Sequence, residues 1–210
     1  MNESKKGLRI AAGILLLAVA CYSASMTTIA YVSMLRHGAT LPVTYWVPIL
    51  TFVLGVLTAV FILTRRFPVA AAMRCALLAV SAATLLVSFV QTTNGVSFSL
   101  DALRQGGASL PASVAMRCAS ITAAILLIIG LFLHNRKAMP LLIIAAVLSL
   151  LASCGQAGAT LLVYSESFGF ERALSMVGIS VIQTIAPAFL ALPAWILLGV
   201  YFGAQQTDAA

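Results

Sequence analysis

Residues 139–164 read MPLLIIAAVLSLLASCGQAGATLLVY and contain no charged side chain. A helix that crosses the hydrocarbon core of a bilayer needs ~20 mostly apolar residues, whereas a barrel strand needs only about ten. Inside lipid, backbone N–H and C=O groups must be paired within the protein, so only helices and closed barrels span the membrane. This stretch is too long for a barrel strand and therefore predicts a transmembrane helix.

Apolar runs of the same kind make up nearly all of the chain. Of its 210 residues, 62% are hydrophobic and 8% are charged, whereas about 25% of the residues of a soluble domain are charged. We therefore predict an all-α, multi-pass helix bundle in the lipid bilayer, forming a single domain over residues 1–210. Its six transmembrane spans are predicted at residues 8–34, 43–64, 69–93, 112–133, 139–164 and 174–203.

The basic residues lie at helix ends, which indicates orientation rather than nucleic-acid binding. The net charge is +7, but Lys and Arg are scattered, so we expect no nucleic-acid partner. Cytoplasmic segments of membrane proteins carry an excess of Lys and Arg. Both termini are therefore predicted in the cytoplasm, with the chain in a plasma or bacterial inner membrane. Seven of the twelve basic residues lie on that predicted side: Lys5, Lys6, Arg9, Arg65, Arg66, Arg136 and Lys137.

The N-terminal segment also has features of a signal peptide. The basic residues up to Arg9 precede an apolar run to Ala20, and the sequence around Cys21 approximates a lipoprotein cleavage site. The apolar character nevertheless continues to Leu35, which a cleaved signal does not require. We expect this segment to be retained as the first span.

Two links on the predicted external side have two open interpretations. The longer one covers residues 94–110, where Ser97 or Ser99 can cap a short helix at residues 101–104. The second covers residues 165–173. Either both links lie in the headgroup layer, or they cover an outward-facing cavity.

Uncharged polar residues are predicted at one depth in the outer half of the membrane. Gln156 lies about eight residues from the external end of the fifth span, or ~12 Å, and Gln183 lies about nine residues into the sixth. One interpretation is hydrogen bonding between helices, worth ~0.6 to 2 kcal/mol for each bond. The other is a binding site for a small neutral or zwitterionic solute, formed by Thr27, Thr28, Gln156, Gln183 and Thr184.

Small residues and prolines predict special packing in the last two spans. On the fifth span the pairs Cys154/Gly158 and Gly155/Ala159 are spaced four apart, which allows close helix contact. On the sixth span Pro187 frees the carbonyl of a residue in the polar zone and permits a bend. Interrupted helices of this kind often line binding sites in transporters.

Apart from Arg9 at the very start of the first span, Arg74 and Arg117 are the only charged residues placed within the predicted spans. They occupy a short repeat, since Ala-Met-Arg-Cys-Ala occurs at residues 72–76 and again at 115–119. Each lies about two turns from a membrane surface, so one interpretation is snorkelling of the side chain to lipid headgroups. The alternative is that Arg117 contacts an anion at the external mouth, balanced by Asp101 or Glu166.

No motif for catalysis or for a cofactor is present. No acidic residue lies in a span, so neither a proton relay nor a carboxylate metal site is indicated. The two histidines, His37 and His134, lie at opposite ends and have no partner at a metal-ligand spacing. We predict that the chain is not an enzyme and holds no metal or cofactor.

Two classes of function remain open from these residues. The first is a small-solute binding or transport component that works with a membrane or cytoplasmic partner subunit. In size, helix number and placement of its termini, the chain resembles the substrate-binding subunits of energy-coupling-factor transporters, which implies a cytoplasmic energising partner. The alternative is a non-catalytic membrane anchor, assembly factor or immunity-type protein that acts through contacts between helices.

Overall fold

The computed structural model describes residues 3–36, 46–93 and 109–205, and these residues form an all-α bundle. The prediction of a helix bundle is confirmed. Its helices are α1 (Glu3–Arg36), α2 (Trp46–Leu63), α3 (Phe67–Thr93), α4 (Ser109–Leu133), α5 (Ala138–Phe168) and α6 (Phe170–Gln205). The predicted short helix at residues 101–104 lies outside the described residues.

Five of the described helices are long and apolar enough to cross a membrane. They are all except α3, whose described apolar stretch, Phe67–Ala83, is shorter. The six-span count therefore stays a prediction, although α3 itself continues to Thr93.

The link predicted at residues 165–173 is replaced by helix on both sides of a single residue. Helix α5 ends at Phe168 and α6 begins at Phe170, with Gly169 between them at a φ of 80°. The Gly169 N–H donates to the Ser165 carbonyl at 2.9 Å, which caps α5. Glycine has no Cβ to clash in this conformation, so the chain reverses without a longer loop.

The helices form a closed antiparallel ring. Each helix packs against the next one in the chain, and α6 packs against α1. Close contacts at glycine give the register: Gly13 on α1 lies against the Leu63 side chain, whereas Gly55 on α2 lies against Ala20. The same alternation places Gly199 of α6 beside Met139 of α5. The contact between α3 and α4 is the least extensive of the six.

The end of the bundle that holds the start of α1 and the end of α6 is tightly packed, and we call it the closed end. Phe67, at the start of α3, lies 4.8 Å from Phe202 and 6.2 Å from His134, measured between ring centroids. The buried Arg9 guanidinium of α1 donates a hydrogen bond to the Leu63 carbonyl at the end of α2. The two basic loops that begin at Thr64 and at His134 therefore lie at the same end as the start of α1 and the end of α6.

The core of the ring lies next to the closed end. All six helices contribute to it, and its members are small or branched residues together with a few aromatic ones. Its largest fully buried side chains are Tyr201, Phe202, Ile62, Leu131, Leu142 and Leu198. Close packing stabilises such a cluster mainly through the dispersion contacts between its buried apolar side chains.

Large apolar side chains cover the outside of the bundle. Ile179 is 74% exposed and Phe189 is 63% exposed on α6, and Leu151 on α5 is 61% exposed. Water-soluble monomers rarely expose apolar surface that is continuous over every helix. Lipid tails solvate such a surface, so the fold places this chain in a bilayer.

The small residues of α5 divide between two faces. Gly155 lies against Met116 of α4, and Ala152 and Ala159 are buried, so this side makes the predicted close contact. Gly158 and Cys154 face outward, and a Cβ at Gly158 would meet nothing within 4 Å. The other three cysteines, Cys21, Cys75 and Cys118, are also unpaired and exposed.

Candidate functional site

Two cavities lie in the half of the ring that is away from the closed end. We call this half the open half. The first has a volume of about 440 Å³ and lies between α3, α4 and α5. The second has a volume of about 350 Å³ and lies between α1, α2 and α3. Three residues, Val47, Arg74 and Leu77, line both cavities. The two spaces therefore meet at Arg74. Their volumes are within the size range of small-molecule sites.

The first cavity extends along the bundle from Arg74 to Arg117. Phe67 on α3 stacks on His134, just after the end of α4. Counting the same number of residues along each of these antiparallel helices places Arg74 opposite Leu127, which lines the same cavity. Arg117 is ten residues before Leu127 on α4, or ~15 Å along the helix axis. Arg74 is thus at the inner floor of the cavity and Arg117 is toward its outer end.

Arg74 turns into the bundle rather than toward the nearer helix end. Its guanidinium carbon lies 4.8 Å from the ring centroid of Trp195, a buried residue on α6 across the ring. The Arg74 Nε is buried and has no hydrogen-bond partner among the described residues. A cation over a Trp face is attracted by the ring quadrupole, which offsets part of the cost of removing the charge from water.

Gln156 and Arg117 lie at one level of the first cavity. Gly155 packs on Met116 and the two helices run antiparallel, so Gln156 on α5 and Arg117 on α4 lie within ~3 Å of one another along the bundle axis. Both line the cavity together with Ser120 and Ser81. Arg117 and both serines are exposed, so the cavity opens to the outside of the bundle between α3 and α4.

Thr27 lines the second cavity, and Gln183 lies in a separate cleft beside it. The Thr27 hydroxyl donates to the Ser23 carbonyl at 2.9 Å. Gln183 lines a cleft of about 230 Å³ together with Thr27 and Pro187, and its Nε2 lies 3.9 Å from the Met26 sulfur. The two glutamines therefore line different spaces.

Thr28 and Thr184 face away from these spaces. Both side chains are exposed, and each hydroxyl donates to a carbonyl four residues earlier in its own helix, that of Ala24 or of Ser180. Helix α6 is continuous through Pro187, which lies next to Gln183 in the third cleft. Of the polar residues predicted at one depth, Thr27, Gln156 and Gln183 line cavities.

The charge in the first cavity is positive. The chain has five acidic residues, and the three within the described ranges, Glu3, Glu166 and Glu171, lie in the first or last turn of a helix. Among the described side chains, no carboxylate pairs with Arg74 or Arg117. Asp101 lies outside the described residues, and nothing is described of the Glu166 side chain. Within the described ranges, no cluster of His, Cys, Asp and Glu could hold a metal ion.

The sequence pattern did not indicate that Arg74 would form the floor of a cavity. Its distance from the membrane surface is compatible with snorkelling, and only the partner helix shows the direction that its side chain takes. Trp195 lies 121 positions away in the sequence. A single arginine in an otherwise apolar span was the available signal.

Comparison of the chain with protein-family models, with curated proteins and with solved structures finds no match. Its class therefore rests on the fold and on the surface. The chain is a multi-pass helical membrane protein whose ring has one packed end and one half that contains cavities.

Proposed function

We propose that this protein is a small-solute binding or transport component of a cell membrane and that it acts with a partner subunit. The observation that carries the proposal is the pair of cavities that meet at Arg74 in the open half. A bundle that served only as an anchor gains from filling such space, because voids forfeit dispersion contacts between side chains.

The packed closed end supports a site that is reached from one direction only. The aromatic cluster around Phe67 and Phe202 closes the ring below Arg74. By the positive-inside rule, the basic loops at this end face the cytoplasm. The cavities then open toward the outer half of a plasma or inner membrane. Release to the cytoplasm requires the closed end to separate, and the sequence offers no nucleotide site to drive this step. The energy would come from the partner, and the role of this chain is non-catalytic.

The test is solute binding to the purified protein, with a variant that fills the cavity. Ala124 lines the first cavity on α4, so Ala124→Phe places a ring in that space. Ala115 is exposed on the same helix and does not line it, so Ala115→Phe is the matched control. Vitamins, nucleosides, amino acids and organic acids are screened by thermal shift in detergent.

We expect at least one solute class to raise the melting temperature of the parent protein and of Ala115→Phe, but not of Ala124→Phe. Gln156→Leu, at the outer end of the same cavity, should weaken that shift. Binding that survives both cavity variants, or no binding by any solute class, contradicts the proposal. The second result favours a protein that acts only through helix contacts.

A further inference from the structure

We propose that the solute is an amphipathic organic anion and that Arg74 binds its carboxylate or phosphate group. This inference rests on the proposed function and adds to it the chemical class of the ligand. It begins from the position of Arg74, whose guanidinium lies inside the ring at the junction of two cavities.

The contacts of Arg74 leave hydrogen-bonding capacity for a ligand. Guanidinium carries five N–H donors in a planar fork that matches carboxylate and phosphate oxygens. Trp195 interacts with the charge at 4.8 Å but offers no oxygen acceptor. The Nε of Arg74 is buried without a hydrogen-bond partner among the described residues. A buried donor without an acceptor is costly, and the described protein groups supply none, so the Arg74 side chain gains by turning toward an oxygen anion in the cavity.

The charged residues that line the first cavity also favour an anionic ligand. Arg74 and Arg117 are both cationic and line one cavity, and no described carboxylate is among its lining residues. A charged side chain within a membrane span is costly, and such residues usually pair with a partner or mark the path of a substrate. An anionic ligand in this cavity would balance the charge of the two arginines.

The wall between the two arginines is apolar. Leu77 and Leu78 on α3 face Ile121 and Ala124 on α4 across the cavity. This part of the site favours a hydrocarbon or aromatic body over a small inorganic ion. The opening lies between α3 and α4, where the helix contact is least extensive. A ligand whose body enters there can place its anionic group at the floor.

Trp195 provides an optical reporter of Arg74. The chain has two tryptophans, and Trp46 is 57% exposed at the start of α2. Trp46→Phe therefore leaves Trp195 as the only tryptophan, in contact with the guanidinium. The Trp46→Phe protein is placed in nanodiscs of phosphatidylcholine and titrated with hexyl phosphate, hexanoate, hexanol and inorganic phosphate.

We expect saturable changes in Trp195 emission with hexyl phosphate and hexanoate. Hexanol has the same alkyl body without the charge, and inorganic phosphate has the charge without the body, so both should bind at least tenfold more weakly. Arg74→Gln should weaken hexyl phosphate binding by about ten- to a hundredfold, as expected when a charge-assisted hydrogen bond is lost. Arg74→Lys keeps the charge without the planar fork of donors, so its affinity for hexyl phosphate should lie between those of the parent and of Arg74→Gln.

Arg66→Gln is the matched control, because Arg66 is exposed in the loop between α2 and α3 and lines neither cavity. It should bind hexyl phosphate like the parent protein. Folding is checked by gel filtration and by melting temperature. Without ligand, Arg74→Gln should melt at the same temperature as the parent or higher, because a buried charge without an anion has been removed. Loss of binding in a variant with a normal melting temperature assigns the effect to Arg74 itself.

The source of the anion is tested by changing the lipid. If phosphatidylglycerol in the nanodisc competes with hexyl phosphate, the anionic group is a lipid headgroup. If it does not compete, the ligand is a free organic anion. Equal binding of hexanol and hexyl phosphate, or unchanged binding by Arg74→Gln, overturns the inference. If the inference fails but Ala124→Phe still prevents the binding of a neutral solute, the proposed solute-binding function stands without an anionic ligand.

Discussion

Gly155 and Gly158 are the same type of residue on one helix, but their surroundings differ. A Cβ added to Gly155 would lie 2.3 Å from the Met116 sulfur, so the Met116 side chain would have to move out of its place against α5. At Gly158 the same atom would meet nothing within 4 Å. The difference arises from the direction of each Cα–Cβ bond relative to α4, which the spacing of small residues in the sequence does not specify.

We therefore expect Gly155→Leu to lower the free energy of unfolding by about 1–3 kcal/mol, the usual cost of overpacking. Gly158→Leu should leave stability unchanged or raise it by up to ~1 kcal/mol, because leucine favours the helix more than glycine does. Denaturation of the detergent-solubilised protein measures both values. Equal destabilisation by the two variants would show that α5 packs differently from the structure.

Arg74 shows the limit of prediction at the scale of a single residue. The sequence places it within a span, and physical chemistry then allows either snorkelling to headgroups or an inward contact. The choice depends on Trp195 of α6, which lies across the ring. Thr28 and Thr184 show the converse, because depth alone grouped them with Thr27 although their side chains are exposed.

At the scale of elements, the reversal between α5 and α6 depends on a single glycine. Gly169 has φ 80° and ψ 154°, a conformation that is essentially restricted to glycine. The prediction of a nine-residue link at residues 165–173 was wrong in extent, because aromatic and charged residues near a helix end were read as loop. Both helices instead continue to the glycine.

Gly169→Ala should lower the free energy of unfolding by about 1–3 kcal/mol, because the added Cβ is strained at this backbone conformation. Gly178→Ala is the matched control in α6, since its Cβ would make an ordinary 3.8 Å contact with Leu174. That variant should gain up to ~1 kcal/mol from helix propensity. Thermal unfolding in detergent checks the pair. A Gly169→Ala protein as stable as the parent would mean that the reversal tolerates another backbone conformation.

At the scale of the whole molecule, the two ends of the bundle differ in charge and in packing. Both basic loops lie at the closed end together with the start of α1 and the end of α6, whereas Glu171 lies at the other end, near Gly169. In a protein that spans the membrane, these two ends face opposite compartments. The excess of Lys and Arg predicts that the closed end faces the cytoplasm.

Single cysteines at Arg136 and at Glu171 test this orientation. Both residues are exposed and flank α5 on opposite sides, and the four native cysteines are first replaced by alanine. We expect a membrane-impermeant maleimide to label Glu171→Cys in intact cells and Arg136→Cys only after permeabilisation. Labelling of Arg136→Cys alone in intact cells would reverse the orientation. Labelling of both would show that α5 does not cross the bilayer.

Composition alone predicts that this chain is a bundle of membrane helices, approximately where most of its helices lie and which ends share a side, but not that α5 and α6 both continue to Gly169. These properties follow from local composition, because lipid requires ~20 apolar residues for each crossing and loops retain the basic residues. Only the tertiary structure decided that α6 closes the ring against α1 and that Arg74 points inward over Trp195. Side-chain direction depends on the partner helix, and positions distant in sequence become partners only when the ring has closed.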